Sequence, residues 1–276
     1  MRYGFVTCVE LGMACIEEIY ELGGHLDLLI TLHDEKARNK SGRIYLDSIS
    51  ERHGVPLFKI NHINDAESIE VIRSADLDWL FIIGWSQIAN SEVLASTKYG
   101  VLGMHPTLLP EGRGRAAVPW AIIKGLDRTG VTMFVLDEGV DTGPLIAQVE
   151  LPIAGREDAG SLYNRVQGAH RELMRVAWPL LESGNCAPAP QDEAQATEWP
   201  GRKPEDGAIH PAMTVGEVDR LVRGVTRPYP GAFWDEDGVR WRVWEGMPGQ
   251  RPSAPLVLNL ADGIYSCTVA EREVVG

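Results

Sequence analysis

Short apolar runs alternate with amphipathic stretches through the first half of the chain, and that alternation is the pattern of a mostly parallel sheet covered by helices. Tyr3 to Cys8, Leu26 to Leu32, Leu57 to Ile60 and Leu77 to Gly84 are the first strand candidates. Each is short, bulky or β-branched and nearly continuous, as strands buried on both faces are. Gly100 to His105 and Gly130 to Leu136 follow, and Pro144 to Leu151 completes a hairpin through Asp137 to Gly143. Helix candidates lie between them at Leu11 to Glu21, Ser41 to His53 and Ala66 to Ser74. From Ala159 to Leu181 the positions Leu162, Val166, Ala169, Leu173, Val176 and Leu180 form one apolar stripe, which predicts a long helix.

The texture then changes. Residues 185–207 carry Pro, Gly, Gln and acidic side chains with little periodicity, which reads as a linker between a first domain at 1–184 and a second at 208–276. In the second domain Thr214 and Glu217 have capping-box spacing before a helix running to Val225. Phe233 to Trp234, Arg240 to Trp244, Leu256 to Leu260 and Tyr265 to Val269 read as short strands of a small β-rich domain.

With 276 residues, 44% of them hydrophobic, the chain can bury one large core or two smaller ones. Cys8, Cys15, Cys186 and Cys267 show neither CxxC nor zinc-like spacing, so free thiols in a reducing compartment are expected. No apolar run reaches membrane-spanning length and no charged-then-apolar leader opens the chain. The expectation is a cytoplasmic protein without signal peptide or membrane span. A net charge of -13 argues against general polyanion binding.

The first strand is followed by Val9-Glu10-Leu11-Gly12-Met13-Ala14, which is neither a GxGxxG dinucleotide turn nor a phosphate-binding lysine loop. The informative stretch is Gly100 to Gly143. His105 ends a predicted strand at the sheet margin where open α/β folds place ligands, and a neutral imidazole there can take up and return a proton. Alternatively it caps a turn or is satisfied in the core. Asp141 lies in the hairpin turn, where it either makes an Asx turn or orients His105 and stabilises its protonated form.

HPTLLPEGRGRAAVPWAI, followed by TGVTMFVLDEGVDTGPLI, resembles the folate-dependent formyltransferases, a family that includes methionyl-tRNA, glycinamide ribonucleotide and sugar N-formyltransferases. The likeness covers roughly residues 1–185 and extends through Asp206-Gly207-Ala208-Ile209 and Arg227-Pro228-Tyr229-Pro230-Gly231-Ala232. It implies a Rossmann-like catalytic domain with a small β-rich C-terminal domain. It also implies His105 as general base and acid, and Asp141 as its partner. The family carries an Asn two residues before the histidine, and this chain has Gly103 there. Reduced or lost activity, a backbone or water donor, or a substitute such as Gln87 or Asn90 are the three readings of that change.

The donor implied is N10-formyltetrahydrofolate, with no metal. Trp85, Gln87, Ile88, Leu109, Pro110, Asp137, Gly139 and Val140 are the implied folate contacts. Trp85 reads equally as a core residue. For the acceptor, Glu10, Met104, Arg113, Gly114 and Arg115 are candidates, the arginines as forked phosphate donors or as solvated loop residues. Residues 186–276 hold 9 Lys and Arg against 14 Asp and Glu, which disfavours tRNA. Glycinamide ribonucleotide enzymes usually lack the second domain, which leaves a nucleotide-linked amino sugar as the expected acceptor. Methionyl-tRNA formyltransferase, formyltetrahydrofolate hydrolase and a non-catalytic binding protein are the alternatives. Tyr229 and Phe233 read first as seats for the small domain, and a homodimer is left open.

Overall fold

The computed structural model describes residues 1–37 and 42–274. Its main sheet holds β1 (Tyr3–Val6), β2 (Leu28–Leu32), β3 (Leu57–Ile60), β4 (Trp79–Ile82), β5 (Gly100–His105) and the strands Arg128–Val135 and Leu145–Pro152. Their order is β3-β2-β1-β4-β5, then the two later strands. The chain walks outward from β1 to β3 and returns to lay β4 on the other side of β1, which makes a topological switch point there. β5 runs parallel to β4, and Arg128–Val135 pairs antiparallel with β5, so the sheet is mixed. Every residue of β1, β2 and β4 is buried, as their unbroken apolar runs require. Ile69 and Ile72 of the helix Ala66–Ser74 join Val6, Ile30, Leu80 and Val101 in one core cluster.

Only Asp47–His53 of the helix expected from Ser41 is helical; Gly42 to Leu46 precede it in other conformations, and Ser41 lies outside the described residues. The long helix runs Ala159–Glu182.

The chain divides into two compact units that are interleaved along the sequence. One comprises Met1–Arg113, Gly130–Val149 and Gln167–Thr197; the other comprises Gly114–Thr129, Glu150–Val166 and Glu198–Gly276. The second has a four-stranded antiparallel sheet in the order Ala232–Glu236, Val239–Pro248, Gly263–Val274, Leu256–Leu260. Helix Val215–Val225 covers it, burying Val218, Leu221, Val222 and Val225 against Val243, Leu258 and Tyr265. Thr214 Oγ1 accepts from Glu217 N at 3.2 Å and Thr214 N donates to the Glu217 carboxylate at 2.8 Å, the capping box its spacing predicts.

One element was not legible in the sequence. Ala117–Ile123 is a helix, too short for an apolar stripe, and it lies against Val215–Val225. Gly224 permits the approach, since a Cβ there would stand 2.8 Å from Ile123 Cγ1. The low-periodicity segment 185–207 is ordered, with 3-10 turns at Glu193–Gln195 and Pro204–Gly207 and a two-residue strand at Glu198–Trp199.

Candidate active site

Alternation along β5 puts positions 103 and 105 on one face of the sheet and 104 on the other. His105, at the strand's carboxyl end, is 8% exposed. Its Nδ1 lies 3.4 Å from Asp141 Oδ2, and its Nε2 lies 2.8 Å from the carbonyl oxygen of Gly112. A carbonyl only accepts, so Nε2 carries the hydrogen of that bond and Nδ1 is the nitrogen left facing the carboxylate. The two side chains singled out from the sequence are therefore brought together, though 36 positions separate them.

Asp141 reaches this place from a tight turn. Its φ is +55°, in the left-handed region that non-glycine residues rarely adopt. Gly143 closes the turn, and a Cβ there would sit 1.8 Å from Val135 O, so no other residue fits without moving the strand. Asp137 Oδ1 accepts from Gly139 N at 3.1 Å and from Thr142 Oγ1 at 2.7 Å. Asp137 and Gly139 thus build the turn, by the Asx chemistry that its sequence also allowed.

Apolar side chains fill the space beside Gly103. A Cβ at this position would stand 2.6 Å from Leu136 Cδ2 and 3.4 Å from Phe134 Cε1. Of the two proposed substitute donors, Gln87 has both ends of its amide engaged elsewhere. Gln87 Oε1 accepts from Ile63 N at 2.9 Å and its Nε2 donates to Asn61 O at 3.0 Å. Asn90 caps the turn Ser91–Leu94 by accepting from Val93 N at 3.0 Å. The Gln87 amide ties its loop to residues 61 and 63, so it is a structural rather than a folate-facing side chain here.

The loop after β5 is fixed from below. Thr132 Oγ1 accepts from Leu109 N at 3.1 Å and donates to Thr107 O at 2.7 Å. Gln148 Nε2 donates to Leu109 O and to Thr132 Oγ1, both at 2.8 Å. Leu109 is buried, and Pro110 follows it through a cis peptide bond.

Several expected acceptor contacts lie elsewhere. Met104 points away from His105, with Cys15 Sγ 3.9 Å from its sulfur. Glu10 stands exposed in the first turn of the helix Glu10–Glu21, a favourable place for a carboxylate. Arg113, read as a phosphate donor, is 4% exposed; its Nε and Nη2 donate to Gln191 Oε1 and its Nη1 and Nη2 to Glu193. Buried and paired in this way, it is a structural arginine. Gly114 and Arg115 belong to the second unit, where Arg115 N donates to Trp199 O at 3.1 Å. Thr132, Gln148 and Gln191 were not singled out in the sequence; nothing local marks them, because their partners are distant along the chain.

The Trp85 indole packs on the core, yet its Nε1 is buried without a hydrogen-bond partner. Buried donors without partners are uncommon and call for one. Ile88 and Val140, on the loop after β4 and in the Asp137–Gly143 turn, are 72% and 59% exposed, large apolar groups left open to solvent. Among the described residues no group of three His, Cys, Asp or Glu side chains is placed to hold a metal ion.

The chain matches the description "Formyl transferase" over residues 14–177 and "Formyl transferase, C-terminal domain" over residues 202–260. A methionyl-tRNA formyltransferase from Agathobacter rectalis is 31% identical over 246 residues, covering 88% of this chain and 79% of that protein. HypX from Aquifex aeolicus, solved in complex with tetrahydrofolic acid, superposes with a TM-score of 0.67 at 21% identity. That match covers 98% of this chain and 44% of HypX, so the chain spans less than half of that protein. An N-formyltransferase from Helicobacter canadensis, in complex with folinic acid and dTDP-3-aminofucose, gives a TM-score of 0.69 at 14% identity, covering 97% and 99% of the two chains. At these identities the two structures speak for a common fold.

Proposed function

This chain belongs to the formyl transferase family, and on that premise we propose that it moves a formyl group from N10-formyltetrahydrofolate to the amine of a nucleotide-linked amino sugar. The observation that carries the chemistry is the His105–Asp141 pair, 3.4 Å apart at the carboxyl end of β5. Bound there, the folate supplies an activated one-carbon unit. As the acceptor amine forms its bond to the formyl carbon, His105 would take the amine proton, and the Asp141 carboxylate, 3.4 Å from its Nδ1, would hold the resulting imidazolium. When the bond from carbon to the folate nitrogen breaks, the same proton passes to that nitrogen. Trp85, Ile88, Leu109 and Val140 are the side chains assigned to the folate.

Two observations support the acceptor. In the second unit a cavity of about 150 Å³ has walls of Pro119, Pro204, Tyr229 and Pro230, with Arg202 and Lys203 at its margin. Burial pulls the Arg202 guanidinium below its ordinary value, and it stacks 4.7 Å from the Trp120 ring centroid. A half-desolvated cation beside apolar walls favours a ring carrying phosphate. The acidic balance of residues 186–276 points away from a large polyanion. Tyr229, read first as a structural seat, lines this cavity, and burial pushes its hydroxyl up to about 12.

A second reading, formylation of methionyl-tRNA, is favoured by the sequence relatives, which carry that name at 31% identity. One experiment separates the two. The protein is incubated with the formyl donor and, in parallel, with nucleotide-linked amino sugars or methionyl-tRNA, and products are read by mass spectrometry. A gain of one formyl group on a sugar nucleotide supports the proposal, and formylation of methionyl-tRNA alone overturns it. Formate without any acceptor marks a hydrolase, and ligand binding without product marks a lapsed enzyme.

A further inference from the structure

Gln191 lies in the segment whose composition reads as a linker, yet its carboxamide sits between the two halves of the catalytic turn's support. Its Nε2 donates to the carbonyl oxygens of Asp141, at 2.8 Å, and Gly143, at 2.7 Å. Its Oε1 accepts from Arg113 Nε at 3.1 Å and Nη2 at 2.8 Å. Arg113 in turn forks onto the Glu193 carboxylate at 2.9 and 2.7 Å. All five residues belong to the first unit.

The chemistry leaves one orientation for this amide. A guanidinium has only donors and a backbone carbonyl has only acceptors, so oxygen must face Arg113 and nitrogen must face the turn. Glutamate can satisfy the arginine but not the two carbonyls. Alanine satisfies neither. The bonds fall on the two residues where the turn is most constrained: Asp141, held at φ +55°, and Gly143, where even a Cβ would collide with Val135 O. A side chain that anchors both carbonyls fixes the peptide planes that follow Asp141 and Gly143, and with them the direction of the Asp141 carboxylate toward His105.

We propose that Gln191, braced by Arg113 and Glu193, is a positioning residue that holds the Asp141 backbone in the geometry required for the Asp141–His105 pair. The proposal deepens the formyl transfer reading and rests on it for its kinetic arm. The arginine that resembles a phosphate ligand in the sequence thereby acquires a different role: it sets the amide that sets the acid.

Two variants, Gln191→Glu and Gln191→Ala, test this. Gln191→Glu keeps an acceptor for Arg113 Nε and Nη2 while placing a carboxylate oxygen against two carbonyls. Both variants are expected to lower kcat on the order of 10- to 100-fold, the scale of an ångström-sized misplacement, with the KM for the formyl donor changed less than twofold. The second readout is independent of turnover: the ring nitrogen resonances of His105 in a 15N-labelled protein are expected to shift in both variants. Unchanged kcat, or unchanged His105 resonances in folded Gln191→Glu, overturns the proposal. A raised KM with kcat intact overturns it too, since that marks a binding rather than a positioning role. If the wild-type protein makes no formyl product, the formyl transfer reading fails by itself, and the His105 resonances alone decide whether Gln191 places Asp141.

Discussion

The site depends on two carboxyl-terminal features of neighbouring strands meeting: an imidazole ending β5 and a carboxylate in the turn after Arg128–Val135. His105→Ala is expected to lower kcat on the order of 10²- to 10⁴-fold, the range of general acid–base catalysis, while circular dichroism stays native. Asp141→Asn keeps the shape of the turn and removes only the charge, so it should lower kcat and leave donor binding, read by calorimetry, unaltered. Gly103 makes the more demanding prediction. A side-chain donor toward a developing oxyanion contributes roughly 2.7–4 kcal/mol in enzymes that use one, and Leu136 now occupies that place. Gly103→Asn alone should lower Tm and gain little rate, because its Cβ meets Leu136 Cδ2 at 2.6 Å. Combined with Leu136→Ala, the asparagine has room, and kcat is expected to rise on the order of tenfold or more. A double variant no faster than wild type would mean that the oxyanion already has its donor.

At the scale of elements, local rules reach a long way. The bounds of β3, β5, the helix Ala66–Ser74 and the strand Leu256–Leu260 match those read from apolar runs, since each is bounded by polar or turn residues. The Thr214–Glu217 box is also local and also present. What escaped local reading is what other segments impose: the helix Ala117–Ile123, and the amides of Gln148 and Gln191, whose partners lie 16 to 78 positions away. Of the candidate site, the pair was legible through its motifs, whereas the placement of Arg113, Met104 and Gln87 was not. An arginine between glycines looks solvated until a glutamine from residue 191 covers it. The capping box makes a prediction with a definite sign. Hydrogen bonds from the Thr214 N–H and then its hydroxyl hold the Glu217 carboxyl below its ordinary range. A depressed carboxylate contributes stability above its unfolded pKa, about 4.3, and loses it as pH falls through the lower folded value. Thr214→Ala is therefore expected to lower stability by about 1 kcal/mol at pH 7, and by less near pH 3.5. Thermal unfolding of wild type, Thr214→Ala and Glu217→Gln at both pH values checks this; a penalty that grows in acid contradicts it.

For the whole molecule, the division into units matters more than the apparent break at 185–207. Residues 114–129 and 150–166 precede that break, yet they fold with the tail. Helix Ala117–Ile123 rests on Val215–Val225, and Arg220 Nε donates to Ile123 O at 3.1 Å. Asp219, buried in the tail helix, pairs with Arg156 at 3.1 Å, and Arg223 Nη1 donates to Glu157 O at 2.6 Å. Removing the tail therefore strips partners from segments left behind in the middle of the chain. A protein truncated after Thr197 is expected to expose the apolar face around Pro119 and Ile123 and leave Glu157 O without its donor. Lost hydrogen bonds to charged groups and uncovered apolar surface each weigh heavily against a net stability of about 5–15 kcal/mol. Such a chain should bind a hydrophobic dye, unfold at lower temperature and be cut by protease first within 114–129 or 150–166. A segment that only tethered two independent domains predicts the reverse: a truncated protein with the melting temperature of the first domain intact and no new cleavage sites.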